Sequence, residues 1–127
     1  MKPINIKATD AFDFLSKKFD SHLIDTRSDL EWKTTGIPDL SSINKEAYLI
    51  NWGPVLDQIF FEQYKNFLLT SFTKNDNLLF ICRSGSRSLM AAQFAIKFGF
   101  KNSFNIFEGF YNENDQNWEK NLPVKFI

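Results

Sequence analysis

The stretch "NDNLLFICRSGSRSLMAAQFAIKFGF", residues 75–100, decides the fold because it places a strand, a polar turn and a helix in succession. Residues 78–81, "LLFI", form a continuous apolar run, which is typical of a central parallel strand that is buried on both faces. Residues 87–98, "RSLMAAQFAIKF", have the apolar spacing of a buried helix. The polar residues between these two segments therefore lie where the chain turns from strand into helix.

The rest of the chain alternates between strand and helix patterns in units shorter than forty residues. Further strands are predicted at 4–8, 22–25, 46–51 and 103–107, helices at 9–20 and 59–72, a helical turn at 30–33, a loop at 34–42 and an extended tail at 122–126. In the first helix, Thr9 or Asp10 is the expected N-cap, and Phe19 is expected on the apolar face with Leu15. This alternation predicts an α/β fold with a parallel sheet and helices on both faces.

Composition and charge restrict the classes of function. A chain of 127 residues fits one domain over residues 1–127. Fifteen basic residues balance fifteen acidic ones, which gives no basic surface for nucleic acid, and no apolar run reaches the length of a membrane span. The chain has one cysteine and no secretory pattern in "MKPINIKATD", so we expect a cytoplasmic protein without disulfides.

Cys82, the only cysteine, follows the central strand at the edge of the sheet where α/β proteins form their sites. Gly85 allows the tight turn that aims backbone N–H groups inward, and a helix N-terminus adds partial positive charge. Arg83 and Arg87 flank the turn, so we expect this cradle to hold an anion and to favour the reactive thiolate. Three hydroxyl groups are further candidate donors to a sulfur or oxygen anion: Ser84, Ser86 and Ser88.

Structural explanations for the same residues remain open. A lone cysteine after an apolar strand is often an inert core residue, and Ser86 or Ser88 could be only the N-cap of the helix. However, positive side chains at a helix N-terminus are unfavourable unless an anion binds there. Only three of the fifteen basic residues are arginine, and two of them are Arg83 and Arg87.

The segment "CRSGSRS" after "LLFI" resembles the active-site loop of the rhodanese family of sulfurtransferases. Other motifs follow in the family's order. The segment "LIDTRSDLEW" is similar to the family's Asp-x-Arg segment, and "TGIPDL" is similar to its Gly-His-Ile-Pro-Gly loop. Further along, "FNIFEGFYN" is similar to its Gly-Gly turn, and "NWEKNLPV" is similar to its closing Trp-x-x-x-Gly-Leu-Pro. Three departures occur. No histidine precedes Ile37, Phe110 replaces the second glycine, and Asn121 replaces a common glycine, a mild change because asparagine tolerates a left-handed backbone.

The resemblance implies a rhodanese-like domain with a central five-stranded parallel sheet. It also implies that Cys82 takes sulfane sulfur from a small anionic donor such as thiosulfate and passes it from a persulfide to cyanide or a thiol. The loop amides from Arg83 to Arg87 would hold the persulfide, and the two arginines would attract the donor. Asp25, Arg27 and Glu31 would be supporting residues, although Arg27 and Glu31 could equally form a plain surface salt bridge. No cofactor or metal is expected.

Two alternatives have different functions. A non-enzymatic persulfide carrier or interaction module in a sulfur relay would need the same cysteine and cradle, with Trp32, Trp52 and Phe110 as a docking surface or, by default, as core residues. A cysteine phosphatase or arsenate reductase is less favoured, because four residues separate Cys82 from Arg87 where the phosphatases have five. The only histidine, His22, lies at a strand start and is expected to be structural.

Overall fold

A computed structural model describes all residues, 1–127, and contains seven strands. They are β1 (Ile4–Ile6), β2 (Ser21–Asp25), β3 (Ile37–Pro38), β4 (Tyr48–Leu49), β5 (Asn77–Ile81), β6 (Ser103–Ile106) and β7 (Val124–Lys125). Five of them form a sheet in the order β1-β6-β5-β2-β4, with every pair parallel. Strands β3 and β7 form a separate antiparallel pair. The predicted α/β class and five-stranded parallel sheet are confirmed.

The chain contains five α-helices. They are α1 (Ala8–Lys17), α2 (Asp29–Thr35), α3 (Gln58–Ser71), α4 (Ser86–Lys97) and α5 (Trp118–Asn121), and a 3-10 turn spans Ser41–Ile43. No helix is long and apolar enough to span a bilayer. Strand β5 contributes alternate residues to both cores: Leu78 and Phe80 pack in the core that contains α3 and α4, whereas Leu79 and Ile81 pack in the core that contains α1 and α5.

The ends of several elements differ from the sequence-based predictions. Helix α1 begins at Ala8 with Lys7 as its N-cap, so neither Thr9 nor Asp10 caps it, and Phe19 is 97% exposed because the helix ends at Lys17. The predicted loop at 34–42 contains β3, which pairs with the predicted tail. Short segments of this kind are defined by tertiary pairing, which local patterns do not encode.

The register of the central strands positions the site. Asp25, the last residue of β2, pairs with Ile81, the last residue of β5. Thr26 then donates from its backbone N–H and its hydroxyl to the Ile81 carbonyl, at 2.8 and 3.0 Å. The segments that follow β2 and β5 therefore leave the same edge of the sheet side by side.

Candidate active site

Cys82 lies at the carboxyl end of β5 and is 1% exposed. Two groups lie within hydrogen-bond distance of its sulfur: the Gly85 N–H, which donates to it with N and Sγ 3.1 Å apart, and the Ser88 hydroxyl group, whose Oγ lies 3.3 Å from Sγ. A buried cysteine with a backbone amide and a hydroxyl on its sulfur differs from an inert core thiol, which needs neither group. The arrangement suits a sulfur atom that carries negative charge or a second sulfur atom.

The backbone of the loop is fixed by glycines on both of its sides. Gly85 has φ +102° and is the N-cap of α4, and a side chain there would collide with the Phe107 carbonyl. Gly109 has φ +72° and packs against the Arg83 carbonyl, which leaves no space for a Cβ. The N–H of Phe110 also donates to the Cys82 carbonyl at 2.9 Å. The turn after β6 therefore holds the cysteine loop in place.

The three serines of the loop have different environments. Ser88 is fully buried and contacts the sulfur, whereas Ser84 and Ser86 are exposed and make no hydrogen bond to it. Because Gly85 is the N-cap and Ser86 is the first helical residue, neither Ser86 nor Ser88 serves as the cap. A contact of Ser84 or Ser86 with a bound donor stays a prediction.

Asp25 and Arg27 form a buried ion pair beside the loop. The Arg27 guanidinium is 1% exposed, donates to Asp25 at 2.7 to 3.1 Å, and also donates to Thr35 Oγ1 and the Gly36 carbonyl. The Phe110 ring covers its face, with Cζ 3.8 Å from the ring centroid. Phe110, which replaces the second glycine of the family motif, is thus the aromatic cover of a buried arginine.

The predicted surface salt bridge between Arg27 and Glu31 is wrong. Arg27 points inward to Asp25, and Glu31 instead accepts two hydrogen bonds from Arg87, at 2.7 and 3.0 Å. Partial burial alone would raise the pKa of Glu31, but the hydrogen bonds from Arg87 and Ser28 outweigh burial and lower it to about 2. The same pair raises the pKa of Arg87, to which the charge of Cys82 also contributes.

Arg83 is the exposed arginine of the loop. It makes no ion pair with a carboxylate, and its Cζ lies 5.5 Å from the centroid of the Tyr111 ring. Arg27 and Arg87 are neutralised by Asp25 and Glu31, so Arg83 is the one arginine here whose charge is not balanced by an ion pair.

These side chains surround a cavity of about 450 Å³ next to the cysteine loop. The residues that line it are Arg27, Glu31, Thr35, Arg83, Arg87, Phe110, Tyr111 and Glu119. A larger cavity of about 540 Å³ at the other end of β2 is lined in part by His22 and Asp76 and by no residue of the cysteine loop. The first cavity is therefore the candidate site, since its lining combines the unpaired cation Arg83 with Arg87, and both residues belong to the loop that follows Cys82.

The remaining candidate residues are structural. Trp32, Trp52 and Phe110 are 7%, 5% and 1% exposed, so they pack in the interior and do not form a docking surface. His22 Nε2 lies 3.1 Å from Asp76, and its ring packs on Phe72. No group of three metal-ligating side chains occurs in the molecule.

Asn121 does not have the left-handed backbone that its place in the family motif suggested. It ends α5, and Asn44 is the one non-glycine residue with positive φ. The Asn121 amide instead donates to the carbonyls of Asp115 and Asn117, each at 2.7 Å. The contribution of Asn121 to the structure therefore comes from the hydrogen bonds of its side chain and not from its backbone conformation.

Asn105 is the site residue that the sequence reasoning missed. It lies in β6 and is 3% exposed, and its side chain hydrogen-bonds both Ser88 and Gly85. A signal was present, because Asn105 is a polar residue between Phe104 and Ile106 in a predicted strand. A buried amide of this kind needs partners, and here the partners belong to the cysteine loop.

Comparison with known proteins places the chain in a family. The family model described as "Rhodanese-like domain" matches residues 9–116. The chain therefore belongs to the rhodanese-like domain family, which confirms the resemblance seen in the sequence. The chain is also 40% identical over 125 residues to "Uncharacterized protein RC0915" of Rickettsia conorii, with 96% of this chain and 97% of that protein covered.

Two solved structures show the same fold. The crystal structure of Rv0390 from M. tuberculosis has a TM-score of 0.82 and 26% sequence identity, and 98% of each chain is covered. The polysulfide-sulfur transferase homodimer from Wolinella succinogenes has a TM-score of 0.70 and 21% identity, with 98% of this chain and 80% of that chain covered. The fold is thus shared over nearly the whole length of this chain.

Proposed function

We propose that the protein is a sulfurtransferase that carries sulfane sulfur on Cys82 as a persulfide. The observation that carries this proposal is the pairing of Gly85 N–H and Ser88 Oγ with Cys82 Sγ beside a cavity that contains the unpaired cation Arg83. A sulfur atom bound to Sγ needs such donors, and an anionic sulfur donor needs such a charge. Membership of the rhodanese-like family supports the same chemistry.

The reaction consists of two displacements at sulfur. The Cys82 thiolate attacks the outer sulfur of thiosulfate, and the S–S bond of the donor breaks so that sulfite leaves with the electron pair. An acceptor, either cyanide or a thiolate, then attacks the outer sulfur of the persulfide, and the Cys82 thiolate leaves. One cysteine is sufficient for this cycle, because the sulfur finishes on another molecule.

Each surrounding residue has a proposed part in this reaction. Arg83 attracts the anionic donor, and Gly85 N–H and the Ser88 hydroxyl stabilise the sulfur anion. Ser84, Ser86 and the amides from Arg83 to Arg87 are the proposed contacts of the transferred sulfur or donor. Asp25, Arg27 and Glu31 support the loop, and Glu31 fixes Arg87 at the cavity edge.

Polysulfide is a second candidate donor. The Wolinella succinogenes structure is that of a polysulfide-sulfur transferase, and its fold matches 98% of this chain. A cavity of about 450 Å³ has room for a chain of several sulfur atoms as well as for thiosulfate. We therefore propose a small anionic sulfane donor and a thiol or cyanide acceptor. We also propose that the protein works in a reducing cytoplasm, where its single thiol stays free, and that residues 1–127 act as one domain.

Steady-state turnover with thiosulfate and cyanide tests the enzymatic proposal. The account expects thiocyanate to form with wild-type protein and expects the Cys82→Ser variant to form none. A stable persulfide on Cys82 without turnover would support a carrier in a sulfur relay instead. Hydrolysis of an aryl phosphate, without sulfur uptake, would support the cysteine phosphatase.

A further inference from the structure

One side chain, Asn105 of β6, hydrogen-bonds both residues whose polar groups reach Cys82 Sγ, Gly85 and Ser88. Asn105 Nδ2 donates to the Gly85 carbonyl at 3.2 Å, and Asn105 Oδ1 lies 2.6 Å from Ser88 Oγ. Gly85 and Ser88 in turn supply the N–H and the hydroxyl on the sulfur. Asn105 and Ser88 are 3% and 0% exposed, so water does not compete for these groups.

The positions of the protons follow from this geometry. The Gly85 carbonyl can only accept, so the NH₂ end of the Asn105 amide must face it, and Oδ1 must face Ser88. Oδ1 also only accepts, and the Ser88 hydroxyl has one hydrogen, which therefore lies on the 2.6 Å bond to Asn105. When Cys82 is a thiol, its S–H consequently donates to Ser88 Oγ.

We propose that Asn105 is a positioning residue that makes the Ser88 hydroxyl a switch with two positions. While Sγ carries a proton, the hydroxyl donates to Asn105 and accepts from the thiol. When Sγ is an anion, the hydroxyl rotates to donate to the sulfur, and Asn105 Oδ1 loses its donor. The switch supplies the Ser88 hydroxyl as a hydrogen-bond donor only when the sulfur is charged. Its value to the protein rests on the proposed function, in which Cys82 reacts as an anion.

The charged groups around the sulfur are unchanged in Asn105→Leu and Ser88→Ala, whereas Asn105→Asp adds one negative charge. The charged side chains on the segments around Cys82 are Arg83, Arg87, Asp25, Arg27, Glu31 and Glu108. The backbone of Gly85 also stays anchored without Asn105, because its carbonyl accepts from the Leu89 N–H at 3.1 Å. Asn105→Leu therefore acts on the sulfur mainly through Ser88.

The infrared S–H band tests the resting state without any change at Asn105. The protein has one cysteine, so at a pH low enough to keep Cys82 protonated it has one S–H stretching band. We expect this band at lower frequency in the wild type than in Ser88→Ala, because a donated hydrogen bond weakens the S–H bond. Ser84→Ala, which removes an exposed hydroxyl with no contact to the sulfur, should leave the band unchanged. An identical band in wild type and Ser88→Ala would overturn the proposal.

The pH dependence of Cys82 alkylation by the neutral reagent iodoacetamide tests the role of Asn105. Asn105→Leu frees the hydroxyl for the sulfur anion, so the pH of half-maximal rate falls by about half a unit. Asn105→Asp adds a negative charge that holds the hydroxyl proton more strongly and also repels the sulfur anion directly, so this pH rises by about one unit. Asn105→Leu is the deciding variant because it adds no charge, and an unchanged or higher pH of half-maximal rate in Asn105→Leu would contradict the proposal.

A double variant isolates the part played by the hydroxyl. In a Ser88→Ala background there is no hydroxyl to rotate, so Asn105→Leu should no longer lower the pH of half-maximal alkylation. An equal shift in both backgrounds would overturn the switch. Alkylation does not require sulfur transfer, so this result is independent of persulfide formation by the wild type, which tests the proposed function itself. Thermal unfolding of each variant establishes that it is folded.

Discussion

The two carboxylate–arginine pairs on the cavity have very different environments. Asp25 and Arg27 are fully buried, and Phe110 covers the guanidinium, whereas Glu31 and Arg87 have side chains that are 26% and 30% exposed. The first pair joins the end of β2 to the start of β3 and serves stability. The second lies at the cavity edge and neutralises Arg87. Three arginines at one site therefore leave a single cation, Arg83, to attract an anionic donor.

Breaking the buried pair should have the largest effect on stability. Arg27→Leu leaves the Asp25 carboxylate buried without its cation, and we expect the free energy of unfolding to fall by about 3 to 5 kcal/mol. Urea unfolding measures the change. The double variant Asp25→Asn with Arg27→Leu should recover part of the loss, because no uncompensated charge remains. If Arg27→Leu lowers the free energy of unfolding by no more than the loss of an exposed salt bridge does, the buried pair is not more important for stability than the pair of Glu31 and Arg87.

Removing the unpaired cation should affect donor capture more than stability. We expect Arg83→Gln to lower the second-order rate of Cys82 sulfuration by thiosulfate about tenfold at low salt, with a weaker dependence on ionic strength. Stopped-flow consumption of the donor measures this rate. Lys101→Gln makes the same charge change at an exposed position beyond α4 and should leave the rate unaltered. Equal effects of the two variants would contradict the role given to Arg83.

The partly buried pair of Glu31 and Arg87 should contribute less, and its contribution should depend on pH. The pKa of Glu31 is lowered to about 2, so its stabilisation is present above pH 4.5 and is lost as the pH falls toward 2. After allowance for solvent screening, we expect Glu31→Gln to lose about 1 kcal/mol at pH 7. Urea unfolding at several pH values should show this difference disappear in acid. A difference that stays constant with pH would show that the ion pair is not its source.

Much of the fold was predictable because it rests on local patterns. The apolar run of β5 predicted a strand buried on both faces, and the glycine that turns the chain after Cys82 predicted a cradle at the sheet edge. The turn was predicted to aim backbone N–H groups inward, and in the structure the Gly85 N–H donates to the Cys82 sulfur. Element ends were less predictable, as α1 and β3 show, because their limits depend on packing against distant segments.

The partners of the charged residues could not be predicted from spacing. Helical spacing suggested Arg27 with Glu31, but Arg27 precedes α2 and turns inward, and Glu31 binds an arginine 56 residues away. Only the parallel register of β2 with β5 brings those groups together. Asn105 was missed for the same reason, since its partners Gly85 and Ser88 come from the neighbouring strand's loop and helix.

Mass spectrometry of the intact protein after incubation with a sulfane donor tests the central claim most directly. The account predicts that thiosulfate or polysulfide adds the mass of one sulfur atom to the protein, and that digestion then assigns this mass to the peptide that contains Cys82. Cyanide should remove this sulfur, and the Cys82→Ser variant should not acquire it. The absence of any adduct with thiosulfate, polysulfide and an organic persulfide would contradict the account.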